Sequence, residues 1–100
     1  RVRQLPLSSR VLLSNKISKT HSVIEVNGRD FPGLLHQITK SLADLGLQIQ
    51  TATVSTYGER VVDVFYVKDI FGLQIQNGVR QQTIRNRLLD IFIDTDEAIV

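Results

Sequence analysis

Apolar and polar positions alternate with two different periods along this chain, and the change of period falls at one short stretch. In Ser22–Gly28, Ile24 and Val26 point one way from an extended backbone while Val23, Glu25 and Asn27 point the other. That is the pattern of a strand with one protected face. Gly28 ends it. From Phe31 the apolar positions are Phe31, Leu34, Leu35, Ile38, Leu42 and Leu45, spaced by three and four, with Gln37, Lys40, Ser41 and Asp44 off the stripe. This spacing predicts an amphipathic helix. Asp30 ahead of Pro32 offers a short capping oxygen and a preset φ, so the helix is expected to start there. Gly46 is placed to stop it.

The flanks fill in the remaining elements. Val11, Leu12 and Leu13 within Arg10–Ser14 read as a short strand, joined by the polar run Asn15–His21 to the strand at Ser22. Leu47–Tyr57 reads as extended, but Leu47 and Ile49 are out of phase with Ala52 and Val54, which a bulge near Gln50 and Thr51 reconciles. Tyr57-Gly58-Glu59-Arg60 is a turn into Val61–Val67, the most β-prone run of the chain. With Val62, Val64 and Tyr66 taken as helix-facing, Asp63 and Glu25 fall on the open face of the sheet. Lys68–Gly78 reads as a loop with Ile70, Phe71, Leu73 and Ile75 tucked against the core. Ile84, Leu88, Leu89, Ile91 and Phe92 mark a second helix within Val79–Ile93.

The order strand, strand, helix, strand, strand, helix implies an α+β ferredoxin-like sandwich: a four-stranded antiparallel sheet with two helices on one face. Such a fold ordinarily closes with a C-terminal edge strand, yet beyond Ile93 only the acidic Asp94–Glu97 and a short Ala98–Val100 remain. Arg10–Ser14 is therefore expected to supply that edge from the N-terminus. The corresponding domain division is a tail at 1–9, a folded unit at 10–93 and a tail at 94–100.

Composition narrows the functional classes. With 100 residues, 42% hydrophobic and 22% charged, the chain makes one small domain with a modest core. The net charge of +2 comes from interspersed acids and bases, which gives no footprint for nucleic acid. Cysteine is absent and there are two histidines, so neither a disulfide framework nor a thiolate metal site is expected. Nothing approaches the roughly 20 apolar residues of a membrane helix, and a cytoplasmic location is expected. Phe65 and Tyr66 invite comparison with base-stacking modules, but strand neighbours face opposite ways and Phe65 is expected to pack in a core or an interface. No triad context, GxxxxGK phosphate loop or metal-ligand spacing occurs, so no catalytic residue is assigned.

The candidate site is the turn Asn27, Gly28, Arg29, Asp30, Phe31, Pro32, Gly33, Leu34 and Leu35. Its backbone amides at a helix N-terminus favour a carboxylate or phosphate, and Gly33 leaves room for close approach. Arg29 is a possible anion partner. An ordinary solvated turn would carry the same residue types.

The block HSVIEVNGRDFPGLLHQITKSLADLGLQIQTATVSTYGERVVDVFYVKDIFGLQI, residues 21–75, resembles the C-terminal ACT domain of the bacterial protein-PII uridylyltransferase family, whose members are bifunctional uridylyltransferase/uridylyl-removing enzymes. The strand followed by D-x-P-G-L is common to ACT domains, and its union with YGERVVDVFYVKDIFG is more specific. The resemblance implies a small-molecule regulatory domain, one of two in tandem, that senses glutamine in allosteric control of nitrogen metabolism. It further implies an effector site at Asn27–Leu35; at this helix start an amino acid's carboxylate is expected on the free amides of Phe31–Leu35, Pro32 excepted, with polar backbone or Asn27 on the strand side taking the ammonium. Expected partners are another ACT domain, in cis or as a homodimer, the parent's catalytic domains and the PII protein, with no nucleic acid and no membrane. Transferase chemistry and its Mg would belong to the parent, leaving this fragment without a cofactor. A docking domain that pairs with another ACT domain without binding ligand is the alternative. An acylphosphatase-like enzyme is a third reading, in which Arg29 would be the basic loop residue but no water-positioning asparagine is evident.

Overall fold

The computed structural model describes residues 8–93. Six elements follow one another: β1 (Arg10–Ser14), β2 (Ser22–Arg29), α1 (Leu34–Asp44), β3 (Gln48–Tyr57), β4 (Arg60–Lys68) and α2 (Gly78–Asp90). The strands form one sheet in the order β1-β2-β4-β3 with every neighbouring pair antiparallel. Since β4 lies between β2 and β3, those two run parallel, and α1 is the crossover that joins them. The two helices complete a ferredoxin-like α+β sandwich.

β1 takes the edge expected of it, pairing Val11 with Val26 and Leu13 with Ile24. The tails at 1–7 and 94–100, including Ala98–Val100, lie outside the described residues. The phase change in β3 is also found where the pattern placed it. The register against β4 slips between Ile49 and Thr51, leaving Gln50 as the extra residue of a bulge.

α1 ends in a Schellman arrangement. Gly46 at φ 78° lets its own N–H reach Ala43 O at 2.9 Å while the N–H of Leu47 reaches Leu42 O at 2.9 Å. The Arg80 guanidinium donates to Leu45 O at 2.7 Å and so satisfies another carbonyl at this end. α2 starts on Asn77, whose side chain accepts from the N–H of Arg80 at 2.9 Å, so Asn77 at the end of the stretch read as a loop is a helix cap.

The core lies between the helices and one sheet face. Leu34, Ile38 and Leu42 of α1 and Ile84, Leu88 and Phe92 of the second helical segment cover Val11, Ile24, Val26, Val61, Phe65 and Val67. Two expectations need correction. The first is the phase of β4. Val61, Asp63, Phe65 and Val67 are the buried positions, and Val62, Val64 and Tyr66 face the open side. Register decides this, because Ile24 pairs with Phe65 and Val26 with Asp63, so all four side chains share the helix-facing side. Phe65, which the expected phase put on the open face with Asp63, is core, one of the two packings expected of it, and Asp63 is not on a wetted face. Glu25 is, opposite Val64.

The second correction concerns the loop after β4. Ile75 alone enters the core, whereas Ile70, Phe71 and Leu73 are exposed, Phe71 by 78%. The Asp69 carboxylate accepts from the N–H groups of Phe71 at 2.8 Å and Leu73 at 3.0 Å, and Gly72 sits at φ 78°. These bonds curl the loop tightly enough to turn its apolar side chains outward.

Candidate functional site

The loop from Asn27 to Leu35 leaves β2 at the end of the sheet where Arg29 pairs with Arg60. It is tied there to the β3–β4 turn. Asp30 donates its N–H to Glu59 O at 2.7 Å, and the Arg29 guanidinium forms an ion pair with the Glu59 carboxylate. Arg29 is therefore a strut of the loop. Asn27 belongs to the sheet face away from the helices, and its side-chain Oδ1 accepts from Arg60 Nε at 3.2 Å and from Arg60 Nη2. Its side-chain acceptor is already engaged.

Gly28 has a packing reason. A Cβ placed on it would stand 2.6 Å from Cε1 of Phe92, so the bare backbone is what lets that ring close over the strand. Phe92 in turn meets Phe31 edge to face, with ring centroids 6.2 Å apart. The loop is thus anchored by an aromatic pair that joins the crossover into α1 to the turn that follows α2.

The entry to α1 differs from the one expected. Asp30 does not cap the helix. Phe31–Leu34 forms a β-turn closed by the N–H of Leu34 on Phe31 O at 3.1 Å, with Pro32 and Gly33 central and Gly33 at φ 85°, ψ 0°. Proline followed by a left-handed residue is the signature of a type II turn. Gly33 then serves as N-cap and has no side chain to offer, so no side-chain bond closes the first turn. The first helical bond runs from the N–H of Gln37 to Gly33 O at 3.0 Å. The amides of Leu35 and His36 precede that bond, on exposed residues, and point outward along the helix axis. They are the donors an anion would meet. A Cβ on Gly33 would touch nothing within 4 Å, so this glycine is required by its φ.

Beneath this end of the sheet lies Asp63, a residue the sequence pattern placed outside. It is 1% exposed, it sits between Val26 and Val54, and its Oδ1 has no hydrogen-bond partner. Burial, with the negative charge of Asp30 adding to it, raises its pKa from 3.8 to about 6. A carboxyl in such surroundings favours any cation brought near it.

Outboard of Asp63, edge strand β3 is open on its helix-facing side. Ala52 pairs with Phe65 and Val54 with Asp63, yet both are exposed, Val54 by 49%. Leu35 of α1 is exposed as well. A cavity of about 370 Å³ lies elsewhere, at the opposite end of the sheet, and none of residues 27–35 lines it. Among the described residues no three His, Cys, Asp or Glu side chains converge as metal ligands, and no helix is long and apolar enough to cross a membrane.

Of the predicted site, the structure brings together the amide donors, the Arg29 strut and the Phe31 anchor, but turns the Asn27 side chain to the far face. Sequence reasoning missed Asp63, Glu59 and the His36 amide. Only the β2–β4 register would have revealed Asp63.

The profile of the ACR family N-terminal ACT domain matches residues 17–96 of this chain. Among its relatives are bifunctional uridylyltransferase/uridylyl-removing enzymes. That of Azospirillum brasilense is 52% identical over 94 residues, covering 94% of this chain and 10% of the relative. That of Rhodospirillum rubrum is 53% identical over 88 residues, covering 88% and 9%. That of Gluconobacter oxydans is 49% identical over 89 residues, covering 89% and 9%. The chain therefore spans about a tenth of the length of these relatives. With the fold, the crossover into α1 and the matched span in agreement, the chain belongs to the ACR-family ACT domains.

Proposed function

We propose that this ACT domain is an effector-sensing module that binds a free amino acid, glutamine, at the first turn of α1 and controls the uridylyltransferase and uridylyl-removing activities of its parent enzyme toward the PII nitrogen-signalling protein. The observation that carries the reading is the uncapped entry to α1: a type II turn leaves the Leu35 and His36 amides without a side-chain acceptor. The effector's carboxylate takes that acceptor role, and the helix dipole contributes roughly 0.3–1 kcal/mol when exposed. The ammonium lies toward the Asp30 and Asp63 carboxyls, since the Asn27 side chain is held by Arg60. The domain stands near the C-terminus of a cytoplasmic parent, as the first of two tandem ACT domains, and needs no cofactor of its own. Mg and nucleotide belong to the parent's catalytic domains.

The second ACT domain docks on the open side of β3, over Val54 and Leu35, and closes the site from that flank. Regulation follows as a population shift. The effector favours the paired arrangement it touches on both sides, and only that difference in affinity moves the catalytic domains. The test is His36→Glu in the parent. His36 is exposed in the first turn of α1, so a glutamate suits the helix dipole while repelling the effector's carboxylate. Both activities should then respond only at glutamine concentrations about tenfold higher or more; an unchanged response refutes the site.

The exposed β3 flank also supports the docking reading, in which pairing alone is the function. The two readings part on whether glutamine perturbs the folded pair.

A further inference from the structure

The cavity at the other end of the sheet has no part in that reading. β2 begins and β4 ends there, with Ser22 opposite Val67, while the crossover into α1 leaves from the end marked by Arg29 and Arg60. Its volume is about 370 Å³, and its lining includes Lys19, Thr20, Lys68, Leu73, Gln74 and Gln76. It opens between the β1–β2 loop and the loop that leads into α2, and these two walls are fastened to each other. Gln74 Nε2 shares its two protons among three carbonyls of the facing loop, Asn15 O at 3.2 Å, Ser18 O at 2.8 Å and His21 O at 3.0 Å. Behind it, buried Ser22 accepts from the N–H of Ile75 at 2.9 Å and donates to Asn15 Oδ1, and Asn15 Nδ2 reaches Ile75 O at 2.8 Å. A ligand entering here meets walls already set.

The charge on those walls is one-sided. No acidic side chain lines the cavity. The three ion pairs among the described residues are Arg29–Glu59, Lys40–Asp44 and Arg87–Asp44, so neither Lys19 nor Lys68 is matched. Asp69, next to Lys68, has turned its Oδ1 onto its own loop amides. Thr20 Oγ1 is hydrogen-bonded with His21 Nδ1 at 2.8 Å, and Gln76 Nε2 donates to Gln74 Oε1 at 3.2 Å, which leaves the two ammonium groups as the uncommitted donors. Two like charges on one concavity raise its potential, and an anion between them relieves their repulsion. Leu73, 62% exposed, gives the rim an apolar edge.

We propose that this cavity is a second ligand site, separate from the first turn of α1, that takes a small dianion, a phosphate or a dicarboxylate, between Lys19 and Lys68. Its size falls in the range of small-molecule pockets, roughly 300–1,000 Å³. The experiment is a titration of the ¹⁵N-labelled full chain at low ionic strength with inorganic phosphate in one arm and succinate in another. Sodium chloride at matched ionic strength is the control, and Lys19→Gln and Lys68→Gln are the variants. The expected result is saturable shifts of the Lys19, Thr20, Leu73 and Gln76 amides with phosphate, succinate or both, and affinity about tenfold weaker in each variant. The arm that saturates at lower concentration identifies the source of the dianion. Any shift of the Leu35 and His36 amides, which would also meet an anion, should persist unchanged in Lys19→Gln and Lys68→Gln. No saturable shift with either probe, equal shifts with chloride, or unchanged affinity in both variants while their spectra remain those of a folded domain would overturn the assignment.

Discussion

The ring of Phe92 occupies the space that a side chain on Gly28 would need, 2.6 Å from the position of its Cβ. The turn that follows α2 is thereby locked onto the strand that leads into the candidate site.

Gly28→Ala should therefore destabilise the domain although glycine is otherwise the poorer strand residue. Forcing the buried Phe92 ring aside costs about 1–3 kcal/mol. The Phe31 contact should loosen with it. Urea unfolding checks the first part, and the ring resonances of Phe31 and Phe92 the second. Stability equal to or above the parent's would show that the ring has room to move.

At Gly33 the constraint is conformational. Its φ of 85° disfavours any Cβ, although the space around it is open. Gly33→Asn should be best tolerated, Gly33→Ala should cost about 1 kcal/mol, and Gly33→Val more. Thermal unfolding of the three variants gives the order. A loss of effector response in Gly33→Val alone would thus mix strain with steric blocking, which is why the exposed His36→Glu change probes the site more cleanly.

Asp63 predicts an unusual pH profile. Its folded pKa of about 6 lies above the 3.8 of the free side chain, so between these values the native state holds more of the proton than the unfolded chain does. Its contribution is therefore least costly below pH 4, declines as pH rises through 4 to 6, and is flat above. The full penalty at neutral pH is on the order of 2–3 kcal/mol. Asp63→Asn should remove this slope and raise stability at pH 7. Chemical denaturation from pH 4 to 8 tests it, and identical profiles for the two proteins would contradict the burial argument.

Why Asp63 escaped the sequence pattern is instructive. In Val61–Val67 nearly every position is apolar, so alternation sets no phase, and the lone carboxylate points naturally to solvent. The phase is set instead by pairing with β2, which places Phe65 beside Ile24 and leaves the Tyr66 hydroxyl on the open face. Burying Phe65, Val61 and Val67 outweighs the cost of one buried acid. By contrast β1, α1, the stop at Gly46 and the bulge at Gln50 were legible because each rests on a local signal. The candidate loop was located by its residues, but its internal wiring was not. The Arg29–Glu59 and Asn27–Arg60 bonds join positions 30 and 33 residues apart. The exposure of Phe71 and Leu73 likewise depends on what Asp69 does with its carboxylate.

The open flank of β3 gives a prediction about assembly. Val54→Lys puts a charge on the helix-facing side of an edge strand, a device that blocks strand addition and docking. Val54 is half exposed, so the isolated fold should survive with a change within about 0.5 kcal/mol. Association with the neighbouring ACT domain should weaken, as read by sedimentation of the separately expressed pair. Undiminished association would place the contact on another face.

The central claim is that an amino acid is held by the first turn of α1. It is tested most directly by titrating glutamine into this domain joined to its neighbouring ACT domain while following the backbone amides by NMR. Saturable shifts concentrated at Leu35 and His36, lost in His36→Glu, are the predicted result. A folded, associated pair in which glutamine moves neither amide would contradict the claim and leave docking as the function of the domain.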